Sequence, residues 1–376
     1  MRGRQWLCAG MLVLVAMGAV GAEANLVVAQ VAPMSGPIGV EGSEYNSGIK
    51  LALAALNAGG GVLGRKVLLQ VEDDEYSPDK TVAAIRRLAR SDALALLMPV
   101  GSPAMTKVLA ERVLDEAGFP VIGVVPGAEP FRKPHNPLLF HIRAGDLDQY
   151  RKIVEHSLTV GMRRIAVVYV DIPFGKSGLA AVEGMLKERG LDPAARAAIA
   201  MSGAETLAAA MSAVAGGKAD LVLLISPAKR AGEFVAAARD ASLQAPITTL
   251  SYGNADTICR VASAPKALGV GLAQVFPNVR NRAMRIVRDY QDDLVRFGGG
   301  AKPSLMQFEG YIAARVLAEG LRRAGKAPTR QKLVVALDSM RNFDLGGFVV
   351  DFSERKHDGS AFVDMSIIGR DCQLIY

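Results

Sequence analysis

The sequence predicts an α/β protein built as two doubly wound, Rossmann-like lobes around a central cleft. Three observations carry this. Short continuous apolar runs such as "NLVVAQVAP" and "ALALLMPV" end in turns, as strands buried on both faces of a parallel sheet do. Segments with apolar residues at the helical period separate these runs. A Pro-rich stretch, "PGAEPFRKPHNP", then interrupts the alternation, and a second series begins after it. Parallel strands joined by helices place helices on both faces of a sheet. Ligands bind such sheets outside the carboxyl ends of the strands, so two lobes in one chain imply a cleft site.

The first series opens with the strand "NLVVAQVAP". Helix 43–57 follows, with Ile49, Leu53 and Leu56 on one side and Ser43 as its expected cap. Strand "RKVLLQVED", helix "SPDKTVAAIRRLARS", strand "ALALLMPV", helix 103–117 and strand "FPVIGVV" complete it. After "LLFHIR" the second series runs from helix "DQYRKIVEHSLTVG" through strand "RRIAVVYVD" to strands "APITTLS" and "LGVGLAQVFP". Two long helices and a short strand-rich tail end the chain. The proline after "LGVGLAQVF" and the irregular stretch before "LLFHIR" set the expected lobes. Lobe one is 25–142 plus 276–361, lobe two is 143–275 plus 362–376, and the crossings lie near 143, 275 and 362.

Residues 1–24 read as a secretory signal peptide: Arg2 and Arg4, an apolar run from Trp6 to about Val20, then small residues ahead of a cleavage point near Ala22 or Ala24. Cys8 lies too early for a lipid-modified cysteine at that point. No later stretch approaches the roughly 18 apolar residues that a membrane span needs. The expected product is an exported, soluble protein of a periplasm. Half of the residues are apolar and 22% are charged, a globular balance. The net charge of +7 is spread among acids, as in "RNRAMRIVRDYQDDLVRF", so no nucleic-acid face is expected. Two cysteines outlast cleavage, Cys259 and Cys372, and their spacing leaves open whether they pair.

Three motifs invite a catalytic or cofactor reading and do not sustain it. Gly59-x-Gly61-x-x-Gly64 has dinucleotide spacing, but it ends a helix and leads into a strand, the reverse of the fingerprint's order. Helix termination by glycine explains it. "YVDIPFGKSG" ends like a phosphate loop, yet its leading glycine would fall on Val170, inside a strand, and Asp171 would face the phosphates. The acids of "EDDE", Glu72 to Glu75, sit at a strand end before a proline turn and read as turn acids. The four histidines have no metal-ligand spacing, and no G-x-S-x-G elbow occurs. No metal, no cofactor, no catalytic residue and no enzyme activity is expected.

The stretch "APMSGPIGVEGSEYNSGIKLALAALNAGGGVLGRKVLLQVEDDEYSP" resembles the start of periplasmic leucine/isoleucine/valine-binding proteins, type I solute-binding proteins of ABC transporters. The matching elements are Ser35-Gly36-Pro37, Asn57-Ala58-Gly59-Gly60, Gly64-Arg65 and Asp73-Asp74. Further on they are "GSPAMT", "EAGFPVI" and "RRIAVVYVDIPFGKSG". The resemblance runs from about residue 25 to the C-terminus. It implies the periplasmic binding protein type I fold and a receptor that closes its lobes on a small amino-acid-like or carboxylate ligand. The implied partner is an inner-membrane ABC permease.

Expected ligand contacts lie on the cleft-facing turns. Ser102 and Ala104 open a helix whose free amides and hydroxyl suit a carboxylate, with plain capping as the other reading of Ser102. The resemblance implies that this turn and Val125, Gly127 and Ala128 hold the ligand's carboxylate and amine. In lobe two the expected contacts are Asp171, Phe174, Ser226, Tyr252 and Asn254. Phe174 and Tyr252 would stack on a ring or cover an aliphatic tail, or pack in the core. Asp171 and Asn254 would meet an amine or hydroxyl, or hold their own turns. The chain departs from the amino-acid-binding pattern at Val125–Ala128, Phe174 and Ser226–Lys229, so the ligand need not be leucine or an α-amino acid. A ligand sensor acting on a signalling partner is the alternative function.

Overall fold

The computed structural model describes residues 24–376, so the expected signal peptide lies outside the described residues but for its last residue. The first sheet is parallel and has five strands: β1 (Leu26–Ala32), β2 (Val67–Asp73), β3 (Leu96–Leu97), β4 (Val121–Ile122) and β5 (Leu139–Phe140). Their order, β2-β1-β3-β4-β5, is that of a sheet wound in both directions from its first strand. Its helices are α1 (Gly39–Ala58), α2 (Pro78–Ala89), α3 (Ser102–Ala110) and α4 (Val113–Ala117). Val28 and Leu97 face one buried cluster and Ala29 and Leu96 the opposite one, the alternation of strands covered on both faces.

The second sheet repeats the theme. Its parallel strands are β6 (Ile165–Val170), β7 (Ala195–Ile199), β8 (Leu221–Ile225), β9 (Ile247–Thr249) and β10 (Gly271–Gln274). Helices α5 (Asp146–Thr159), α6 (Pro173–Lys187), α7 (Glu205–Gly216), α8 (Ala228–Asp240), α9 (Ala255–Ala262) and α10 (Ala264–Ala267) surround it. The chain then returns to the first lobe as α11 (Arg285–Phe297), α12 (Leu305–Ala324) and α13 (Arg330–Asp338). There α12 lies so close to α1 that a Cβ on Gly48 would sit 1.8 Å from the Gln307 carbonyl oxygen. A small hairpin, β11 (Phe343–Asp344) and β12 (Val349–Val350), precedes β13 (Asp364–Ile368) and β14 (Leu374–Ile375). These last two extend the second sheet antiparallel, giving the order β14-β13-β10-β9-β8-β6-β7.

Several local expectations need correction. Helix α1 starts at Gly39 with Ile38 at its cap, so Ser43 lies inside the helix and caps nothing. The apolar period does not show this because the first turn, "GVEG", is glycine-rich. The expected helix 103–117 is two helices, broken where Arg112 takes a left-handed φ of 54°. Helices α9 and α13 appear where no helix was expected: both are short, and Asn254 and Thr329 cap them with side-chain oxygens. The glycine turn after α1 is a helix stop: Gly61 N–H donates to the Leu56 carbonyl (2.9 Å), and Gly60, Gly61 and Gly64 have positive φ while Gly59 does not. Cys259 on α9 and Cys372 in the tail form a disulfide, which resolves the pairing that spacing left open. Among the described residues no helix is long and apolar enough to cross a membrane.

Candidate functional site

The site begins with the turn between β3 and α3. Gly101 caps α3 with a φ of 106°, and a Cβ there would lie 2.7 Å from Cε2 of Tyr76. A side chain at this position would be strained and would also displace that ring. Tyr76 is aimed at the turn by the acids of the "EDDE" run. Its own amide donates to Asp74 (2.9 Å), which also accepts from the Thr81 hydroxyl (2.8 Å). Asp73 accepts from the Met34 amide (2.9 Å) and from the Ser35 hydroxyl (2.7 Å), which lowers its pKa and ties the β1 turn to β2. These carboxylates shape turns, and no cluster among the described residues could hold a metal.

Between the lobes lies a cavity of about 540 Å³, open solvent at its mouth included. Lobe one lines it with Ile38, Glu41 and Tyr45 from the start of α1, with Tyr76, and with Met306 of α12. The turns carrying Val100, Gly101 and Ser102, and Val125 and Pro126, supply the rest of that wall. Lobe two contributes Ile172, Phe174, Pro227 and Tyr252. The Phe174 and Tyr252 rings meet edge to face, 5.0 Å apart, and form one aromatic wall. The lining is thus apolar and aromatic, with few polar groups.

Those few are informative. Ser102 is the first residue of α3, not its cap, and makes no capping hydrogen bond. The amides of Ser102 and Ala104 have no backbone acceptor, since the α3 ladder starts with Met105 N–H on Gly101 (3.1 Å). A helix N-terminus with free amides favours an anion. Across the cavity, Oε1 of Glu41 is buried without a hydrogen-bond partner. Burial raises the Glu41 pKa, and the neighbouring Glu44 carboxylate pushes it the same way.

Of the ten expected contacts, Ser102, Val125, Phe174 and Tyr252 reach the cavity wall. Ala104 is buried within α3, and Ala128 packs in the core on the far face of the first sheet. Gly127 lies just beyond Pro126, and its N–H donates to the Tyr252 hydroxyl (2.9 Å). Asp171 points outward, paired with Lys176 at 2.9 Å. The Ser226 hydroxyl is turned onto the Pro227 carbonyl (3.1 Å). Asn254 caps α9, accepting from the Thr257 amide (2.9 Å), and donates across the lobes to Glu44 (3.2 Å). Sequence reasoning missed Glu41 and Tyr45, although Ile38, Glu41 and Tyr45 recur at helical spacing beside the Ser35-Gly36-Pro37 turn. It missed Met306 because only the fold brings α12 back to the cleft.

Beneath the aromatic wall runs a polar seam that joins the lobes. Arg143 is fully buried and pairs with Glu309 of α12 (3.2 Å). Its guanidinium also lies over the Tyr252 ring, 4.5 Å from the centroid, and donates to the Ser251 hydroxyl.

The sequence profile described as "Periplasmic binding protein" matches residues 26–368. The chain belongs to the periplasmic binding protein family. A "Leu/Ile/Val-binding protein homolog 7" of Brucella suis is 30% identical over 184 residues, 46% of either chain, so the match spans about half that relative's length. An "Amino acid binding protein" of Pseudomonas aeruginosa is 24% identical over 81% of this chain and 80% of its own. Among solved structures, an extracellular ligand-binding receptor from Verminephrobacter eiseniae is 34% identical with a TM-score of 0.87, covering 94% of this chain and 100% of that one. A substrate-binding periplasmic protein from Ralstonia solanacearum is 32% identical with a TM-score of 0.88, covering 93% and 99%. The fold is that of type I periplasmic binding proteins, which are binding proteins rather than enzymes.

Proposed function

We propose that this periplasmic binding protein is the receptor of an ABC importer, taking up a small carboxylate-bearing ligand in the periplasm and delivering it to an inner-membrane permease. The observation that carries this reading is the interlobe cavity: an apolar, aromatic-walled space lined at one side by Ser102, the first residue of α3. A carboxylate docked there would gain hydrogen bonds and the favourable end of the α3 dipole. Its apolar body would lie against Val125, Phe174 and Tyr252, removing their surface from water.

Lobe one carries most of the wall, so the ligand would bind it first. Hinge motion near 143, 275 and 362 would then bring Phe174 and Tyr252 down. The three return passages of the chain between the two sheets support a hinge at those points, and they support lobes of 25–142 plus 276–361 and of 143–275 plus 362–376. Closure of this kind is a population shift driven by ligand contacts made only in the closed form.

A ligand that binds only the folded protein raises its melting temperature by mass action. Thermal melts with branched-chain and aromatic amino acids, aromatic acids, aliphatic acids and dicarboxylates test the proposal. A rise with at least one carboxylate is expected. A panel with no rise counts against a carboxylate receptor.

A further inference from the structure

Glu44 joins the starts of two helices that belong to different lobes. It lies on α1, and its carboxylate accepts from the Ser304 hydroxyl (2.7 Å) at the cap of α12. The same carboxylate accepts from Nδ2 of Asn254 (3.2 and 3.3 Å), the cap of α9 across the cleft. Each cap also holds its own helix. Oγ of Ser304 accepts from the Gln307 amide (3.1 Å), and Oδ1 of Asn254 accepts from the Thr257 amide (2.9 Å). One negative charge therefore stands at the positive ends of two helices, where their dipoles favour it.

The arm to Ser304 stays within lobe one, where α12 packs closely on α1. The arm to Asn254 crosses between the lobes. Neither Glu44 nor Asn254 lines the ligand cavity, yet both stand beside it. Nδ2 of Asn254 is 4.0 Å from Sδ of Met306, and Tyr252 lies two residues earlier in the same turn. Met306 and Tyr252 do line the cavity, so pinning Asn254 sets how near the Tyr252 wall comes to lobe one. Burial raises the Glu44 pKa, and Asp256 in the first turn of α9 pushes the same way. The bonds from Ser304 and Asn254 and the Arg260 charge oppose that rise.

We propose that Glu44 and Asn254 form an interlobe latch, a positioning contact that sets the affinity of the cleft without touching the ligand. This rests on the receptor reading above. Where a ligand binds only the closed form, its apparent affinity is scaled by the fraction of the free protein that is closed. A contact that favours closure therefore multiplies the affinity of every ligand by one factor. A side chain that touches the ligand acts differently, by factors that follow the ligand's shape and charge.

Asn254→Asp is the deciding variant. Aspartate caps a helix as well as asparagine does, so α9 keeps its start while a second carboxylate is set against Glu44. Adding Glu44→Gln reverses the bond: the new amide donates to the new carboxylate, and its oxygen still accepts from Ser304. The wild type, Asn254→Asp and the double variant are titrated calorimetrically with leucine, phenylalanine, benzoate, 4-methylpentanoate and succinate. Each protein is also melted and measured by small-angle X-ray scattering without ligand. The expected result is an affinity at least about tenfold lower in Asn254→Asp, as loss of a hydrogen bond to a charged group gives. The factor should be the same for each compound that binds the wild type, and the double variant should regain most of it. The unliganded Asn254→Asp protein should melt with the wild type.

Unchanged affinity in Asn254→Asp overturns the latch and leaves the receptor reading standing. A loss that differs between compounds by more than about threefold, or that the double variant does not recover, overturns it too. A lower unliganded melting temperature with affinity kept returns Asn254 to plain capping of α9. Failure of every compound to bind the wild type removes the receptor reading, and scattering then decides the latch. A larger radius of gyration in Asn254→Asp than in the wild type and the double variant keeps it, and equal radii overturn it.

Discussion

The Tyr252 hydroxyl donates to Oδ1 of Asp146 across 2.6 Å while the residue lines the interlobe cavity. One side chain thereby joins the aromatic wall of lobe two to the start of α5 and, through the Gly127 amide, to lobe one. Burial raises the Asp146 pKa and this hydroxyl opposes that rise; the other oxygen, Oδ2, has no partner at all. Tyr252→Phe keeps the ring against Phe174 but strips Asp146 and Gly127 of their partner. Because buried groups left unsatisfied cost their full desolvation, the variant should lose about 1–3 kcal/mol of stability. Urea denaturation of both proteins measures it, and an unchanged midpoint would show the contact to be dispensable.

The Arg143–Glu309 pair should behave as a buried ion pair does. Glu309→Gln leaves the fully buried Arg143 without its counter-charge, and such breaks cost about 3–5 kcal/mol. Arg143→Met with Glu309→Leu removes both charges and should be more stable than Glu309→Gln alone, though short of the wild type because Ser251 and Tyr252 also lose the guanidinium. Denaturant melts of the three proteins read this order directly.

The alternation of apolar runs and helical periods made the two sheets legible, because each strand's burial on both faces depends on its own residues. Boundaries were less so. Ser43 read as a cap because the true first turn of α1 carries glycines that no apolar period includes, and α13 was missed because nine residues offer only about two and a half turns of period. The turns at β3 and β9 were legible as cleft-facing, which is why Ser102 and Tyr252 were named. Direction within a turn was not legible. Asp171 turns outward to Lys176 and Asn254 inward to cap α9, and sequence adjacency to a good contact says nothing about either. Tyr76 needed the turn geometry of Asp74, and Met306 needed the return of α12.

His141 should make stability fall in mild acid. It is buried at 2% exposure, Nε2–H donates to the Phe131 carbonyl (3.1 Å), and Nδ1 has no partner. Burial and the nearby Arg132, His357 and Arg143 hold its pKa well below the ordinary 6.5. The unfolded chain takes up this proton below about pH 6.5 while the folded protein refuses it, so stability is lost as the pH drops through that value. Between pH 7 and 5.5 the wild type should lose about 1 kcal/mol more than His141→Gln, whose amide can keep the bond to Phe131. Denaturation curves of both at the two pH values give the difference, and parallel losses would rule His141 out as the source.

Ser102→Ala separates ligand contact from helix support. In a capping role the hydroxyl would accept from an amide two or three residues on, and its loss would cost about 1 kcal/mol of stability. Here Gly101 holds the cap position, Pro103 has no amide to offer, and Ser102 makes no capping bond. The unliganded variant should therefore melt with the wild type, to within about 0.5 kcal/mol. Affinity for a bound carboxylate should fall by about 1.5–3 kcal/mol if the hydroxyl donates to it, as hydrogen bonds to charged groups do. Calorimetric titration of whichever carboxylate raises the wild-type melting temperature, run beside a melt of the variant, gives both numbers. Lost stability with full affinity would return Ser102 to α3, and the Ser102 and Ala104 amides would then be the carboxylate's whole support on that turn.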